Sequence, residues 1–202
     1  YKCILENGFS MLNKQGSLGL LHPEGVYDDP NGQPLRKEMY LKLKYHFQFQ
    51  NAFNLFAEVA HREKYGINIY SGSSSLVSFS SINNLFHPGT IDGCFIHDGN
   101  GVCGGIKTKG DGEDGFVWNT KPHKDRIVNI GEKELRIIST TFEDSSDWDS
   151  AKLVSVHTSS VFEIISKIGN SNTPVSTVEY IHSECWHETN AQNDKIITRK
   201  TD

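Results

Sequence analysis

The spacing of apolar residues changes several times along the chain, and each change predicts an element. Ile4, Leu5, Phe9 and Leu12 recur at helical spacing and Gly16 follows as an end signal, so residues 1–14 are predicted to form a helix. LGLLHPEGVY is a short apolar run broken by Pro23 and Gly25, the pattern of a buried strand that emerges into a loop, and DDPNGQP then carries turn chemistry. LRKEMYLKLKYHFQFQ opens like a capped helix and closes in strict alternation from Leu41 to Phe49, which predicts a helix over about 34–43 and a strand over about 44–50. NLFAEVAH and YGINIYS read as two strands joined by the charged turn HREK. Helix, strand, helix and three strands in succession is the order expected for the closing half of an α/β sheet.

After SGSSS the pattern breaks up. Short apolar runs (SLVSFSS, CFIH, VCGGIK, FVWN, RIVNI) alternate with HPG, HDGNG and KGDGEDG, which predicts a β-rich, loop-rich α+β region. KELRIISTTF and SVFEIISKIG have helical spacing, and the last thirty residues are expected to return to extended structure. The domain boundary is placed near Ser73, dividing the chain into residues 1–73 and 74–202.

Charge narrows the function classes. A formal net charge of −5 argues against a protein that coats nucleic acid without specificity, because such binding is driven by positive charge against phosphate. It leaves room for a DNA enzyme whose basic residues are local, and clusters such as Arg36/Lys37/Lys42/Lys44, Lys107/Lys109 and Lys121/Lys124/Arg126 are of that kind, although each also reads as a solvated face. No apolar run is long enough to span a bilayer and no signal peptide is visible, so a cytoplasmic protein without membrane contact is expected. The four cysteines lack the density of a disulfide scaffold. Cys94 and Cys103 flank the turn Asp98-Gly99-Asn100-Gly101, where a hairpin would face them to each other, but free thiols are the default. The chain opens at Tyr1 and runs straight into a helical pattern, which reads as a piece cut from something longer.

Three local groupings carry candidate chemistry. Glu184, Cys185 and His187 in SECWHETNAQ all bear zinc-binding groups, and Glu-x-Trp-His resembles half of the zinc motif of peptidoglycan D-Ala peptidases, but its partner is missing because His87 and Asp92 have the wrong spacing. His123 and Asp125 have the His-x-Asp spacing of iron and 2-oxoglutarate oxygenases, with His187 as a distal ligand. Cys94 with His97 or His123 has the composition of a cysteine–histidine nucleophile pair. For each the blander reading weighs more: an amphipathic segment anchored by Trp186, a loop after Pro122, a buried thiol. A metalloenzyme using His123, Asp125, Glu184 or His187 and a non-catalytic β-rich binding module stand as rival functions.

Several phrases in order, LLHPEGVYDDPNG, LRKEMYLKLKYHFQFQN, LFAEVAHREKYGINIY, NLFHPGTIDGCFIHDGNG, GIKTKG, WNTKPHKDRIV and WHETNAQNDK, resemble the region after the catalytic motif in large adenine-specific DNA methyltransferases of bacterial restriction-modification and phage-defence systems. The resemblance spans nearly the whole chain. It implies the C-terminal half of a doubly wound methyltransferase sheet, ending in a reversed hairpin, over residues 1–73. Residues 74–202 would form a connecting or target-recognition region. It further implies double-stranded DNA as partner and S-adenosylmethionine as cofactor. The glycine-bearing cofactor motif and the Asn-Pro-Pro-Tyr motif of that family do not occur in this sequence, so the segment alone is expected to be inactive. By the resemblance, Phe56 stacks on the flipped adenine; by residue pattern alone it is a core phenylalanine beside Leu55 and Val59.

Overall fold

A computed structural model describes residues 1–198 except 73, 144, 172–176, 180 and 182–187. The chain forms two compact units, Tyr1–Asn172 and Thr173–Asp202. In chain order the first holds α1 (Lys2–Met11), β1 (Ser17–Pro23), α2 (Gln33–Tyr40), β2 (Leu43–Gln50), β3 (Lys64–Ser71), β4 (Ser78–Leu85), α3 (Gly89–Ile96), β5 (Lys107–Lys109), β6 (Phe116–Trp118), β7 (Val128–Gly131), α4 (Glu132–Ile138) and α5 (Ser159–Ser171). The class is mixed α/β: a five-stranded mixed sheet of order β1-β3-β2-β4-β7, with a separate β5-β6 ribbon.

Strand directions give the sheet its polarity. β3 is antiparallel to both β1 and β2, so β1 and β2 run the same way with β3 reversed between them. β4 runs parallel to β2, and β7 closes the far side antiparallel to β4. The carboxyl ends of β1, β2 and β4 therefore share one edge. The boundary expected near Ser73 falls inside this unit, because β4 from beyond it pairs with β2 from before it.

Alternation on β2 builds two cores. Tyr45, Phe47 and Phe49 point to the face on which α3 packs, where Phe47, Phe49, Tyr65, Ile82, Leu85 and Cys94 are buried together. A bulge between Leu43 and Tyr45 shifts the register, which brings Leu43 into the core of the opposite face with Phe9, Met39, Tyr40, Tyr70, Phe79 and Ile138. The helix-to-strand change read from LRKEMYLKLKYHFQFQ is observed, with Pro34 in the first turn of α2.

Two fully buried arginines join distant segments. Arg36 donates to the carbonyls of Ser150, Val26 and Asp29, and Arg126 to those of Lys121, Asn83 and Asn84. Asn84 takes a left-handed conformation (φ 56) at the end of β4, which turns its carbonyl and that of Asn83 toward Arg126.

Four segments differ from the sequence reading. NLFAEVAH is a succession of turns, because Asn54 adopts φ 51 and the backbone bonds to the Asn51 side chain in place of a neighbouring strand. CFIH belongs to α3, which Pro88 initiates and Thr90 ties to the Thr120 carbonyl. The hairpin that would face Cys94 to Cys103 is therefore absent: Cys94 lies on α3, and both thiols are free. The buried strand read in LGLLHPEGVY is an edge strand in which only His22 is fully buried, since a single strand pairs with it. In the second unit, α6 (Glu188–Asn193) replaces part of the extended structure expected there, and Glu184, Cys185, Trp186 and His187 lie outside the described residues. Among the described residues no helix is long and apolar enough to cross a membrane.

Candidate functional site

Ligands of α/β sheets bind beyond the carboxyl ends of the parallel strands. At that edge, residues 51–63 cross from β2 to β3 and carry Phe56, which is 40% exposed. Phe56 meets Tyr65 edge to face, with centroids 5.0 Å apart at 86°, and Tyr65 lies flat on Phe49 at 5.4 Å and 5°. Leu21, Pro23, Phe56, Val59, Glu63, Lys64 and Tyr65 line a half-open cavity of about 230 Å³. That is below the ~300–1,000 Å³ of clefts for drug-sized ligands.

Asn51, which sequence reading passed over, holds the loop in place. It is fully buried, its amide donates to the carbonyls of Phe56 (2.8 Å) and Val59 (2.6 Å), and its side-chain oxygen accepts from the Phe56 amide (3.0 Å). One side chain thereby fixes the backbone on both sides of the exposed ring. Its only signal in the sequence is an asparagine directly after an alternating strand.

The other face of the same strands carries a buried polar seam. His46 donates from Nε2 to Glu24 (3.0 Å) and accepts at Nδ1 from Ser81 (2.9 Å), and Gln48 adds a second donor to Glu24 (2.9 Å). Further along, His22 donates from Nδ1 to the Pro23 carbonyl, so its Nε2 accepts from Asn68 and Tyr70, both at 3.0 Å. Gly66 is required beside it: a Cβ there would lie 2.3 Å from Glu24 Oε1 and 2.7 Å from Asn68 Nδ2. Ser81–His46–Glu24 has the connectivity of a nucleophile relay, yet Ser81 is 1% exposed and has no route to a substrate. The seam is a support for the edge above it.

The seam predicts acid lability. Burial holds the pKa of His22 below its usual 6.5, against the pull of the Pro23 carbonyl, and burial followed by the nearby Arg126 does the same at His157. Burial alone would raise the pKa of Glu24, but His46 and Gln48 outweigh it and the net shift is downward. In each case the folded pKa is depressed, so the unfolded chain takes up protons first and stability is lost as pH falls. The loss is expected to begin below 6.5 through the histidines and to steepen below 4.5 through Glu24. Urea midpoints at pH 7.5, 6 and 5 check this, and equal midpoints at pH 7.5 and 5 would refute it.

The other candidate chemistry disperses. His123 Nδ1 accepts from the Asp125 amide at 3.1 Å, which puts the proton of the neutral ring on Nε2, the atom a metal would need free; Nε2 is buried without a partner. Among the described residues no three His, Cys, Asp or Glu side chains converge as metal ligands. Cys94 is buried with its thiol pKa raised by desolvation, and its contact with His123 is to the backbone, so no base faces the sulfur. The ring of His97 instead packs on that of His123, with centroids 4.4 Å apart. A larger cleft of about 450 Å³ between β7, α4 and α5 is lined by opposing charges, Lys133 and Lys167 with Glu134 and Glu163, without a grouping of reactive side chains.

Comparisons with protein-family models, curated proteins and solved structures each find no match to this chain.

Proposed function

We propose that this chain is part of an adenine-specific DNA methyltransferase of a restriction-modification or phage-defence system, and that it supplies the surface on which the target adenine is held out of the duplex. The observation that carries the reading is Phe56: a half-exposed ring lining a small apolar cavity, at the carboxyl edge of parallel strands, on a loop pinned by a buried asparagine. Burial of this side chain in a core would have favoured the binding-module rival. Further support comes from the succession β1, α2, β2, with β1 and β2 pointing the same way and β3 reversed between them; the reversed pair expected of LFAEVAH with YGINIY is not formed, because LFAEVAH is a run of turns, and β4 and β7 continue the sheet beyond β2.

An adenine amino group is a weak nucleophile shielded within the duplex, so the base must be extruded and oriented before a methyl group can reach it. Phe56 offers a face for the purine, Tyr65 meets the ring at right angles, and Leu21, Pro23 and Val59 give the cavity an apolar wall. The cavity does not fit S-adenosylmethionine: it is too small and its wall is apolar. The methyl donor is assigned to a preceding part of the enzyme, outside these residues.

In the enzyme that carries this segment, Phe56→Ala is expected to lower methylation of adenine by about fivefold to a hundredfold, the equivalent of losing one base stack, with little change in thermal stability because the ring is half exposed. Methyl-group incorporation into DNA measures it. A rate equal to wild type would remove Phe56 from the site.

A further inference from the structure

Phe56 is not the only ring on this loop that faces outward. Phe53 is 48% exposed, and its ring centroid lies 6.3 Å from that of Phe86, tilted by 56°. Phe86 is buried and lies stacked on Trp118 at 4.6 Å and 27°, and the Lys107 ammonium caps the far side of Trp118 at 5.2 Å. This column runs from the loop to the β5-β6 ribbon and is separate from the Phe49–Tyr65–Phe56 stack. Each exposed phenylalanine of residues 51–63 is thus backed by its own aromatic column.

We infer that Phe53 is a second nucleobase-stacking side chain, which engages a base neighbouring the one held at Phe56. The inference rests on the nucleic-acid reading of the Phe56 cavity. An exposed ring braced from behind has already lost much of its freedom, so little further ordering opposes stacking, and an apolar ring face accepts any base. Charge on the loop favours stacking as the source of affinity. Within residues 51–63 Arg62 stands against Glu58 and Glu63, all exposed, so the loop itself offers phosphate no net attraction. Binding through this loop therefore depends on ring contact and is less salt-sensitive than binding through a lysine-lined groove.

The test is photocrosslinking of the 202-residue chain to single-stranded oligonucleotides in which 8-azidoadenine replaces the adenines and 5-iodouracil the thymines, with adducts mapped by mass spectrometry. Adducts at both Phe53 and Phe56 are expected. An adduct at Phe56 without one at Phe53 overturns this inference and leaves the Phe56 reading standing; no adduct on residues 51–63 overturns both. In parallel, Phe53→Ala is expected to weaken oligonucleotide binding about fivefold to a hundredfold, and Phe53→Tyr to restore it, with melting temperatures close to wild type in both. Equal affinity of Phe53→Ala and wild type overturns the inference.

Discussion

Arg126→Ala is expected to destabilise the first unit by about 1–3 kcal/mol, the cost of leaving buried carbonyls without their donor. For a unit of this size that is a fall in melting temperature of about 2–12 °C. The carbonyls of Asn83, Asn84 and Lys121 all accept from this guanidinium, and Asn83 and Asn84 lie near the end of the interior strand β4, where Asn84 takes a left-handed conformation. No other donor to them replaces it once the side chain is truncated, and a cavity is left behind. A counter-effect exists, because burial disfavours the cation and holds its pKa down. Arg126→Met separates the two contributions: it keeps most of the stem and removes the charge. If the orphaned carbonyls dominate, the methionine variant melts nearly as early as the alanine variant. A shift of less than about 2 °C for Arg126→Ala in calorimetry would show that the clamp contributes little.

Asn51→Ala is expected to cost base binding at least as much as loss of the Phe56 ring itself. Three hydrogen bonds from one buried carboxamide hold the backbone at Phe56 and Val59, and without them the ring is no longer presented over the cavity. The stability cost is smaller, about 1–2 kcal/mol, since the freed groups belong to an exposed loop that water can reach. Asn51→Asp sharpens the test: it keeps an acceptor for the Phe56 amide but loses both donors and buries a charge, so it should behave no better than alanine. Hydrogen exchange at the Phe56 amide reads the effect directly. Protection in Asn51→Ala equal to wild type would refute the pinning role.

The same loop shows where local pattern fails. Leu55, Ala57 and Val59 alternate as a strand would, yet Leu55 and Val59 are exposed, and the segment follows the hydrogen bonds of Asn51. Alternation reports a pleated conformation only where a neighbouring strand is available to pair. In CFIH a short apolar run was equally open to helix, and Pro88 at its start decided for α3. On β2, by contrast, alternation was read correctly, yet the polar positions His46 and Gln48 between its apolar ones do not face solvent. They are buried, because Glu24, Ser81 and Ser155 come from elsewhere to satisfy them.

By itself the sequence determined the elements whose signal is local: the proline-initiated α2, the alternating β2, and the helical spacing of α1, α4 and α5. Only the tertiary structure decided strand order, the continuity of one sheet across Ser73, and the partners of Asn51, Arg36 and Arg126. The physical reason is range. Periodicity is set by neighbours a few residues apart, whereas the bond from Arg36 to the Ser150 carbonyl joins positions 114 residues apart and exists only once the chain has folded around it.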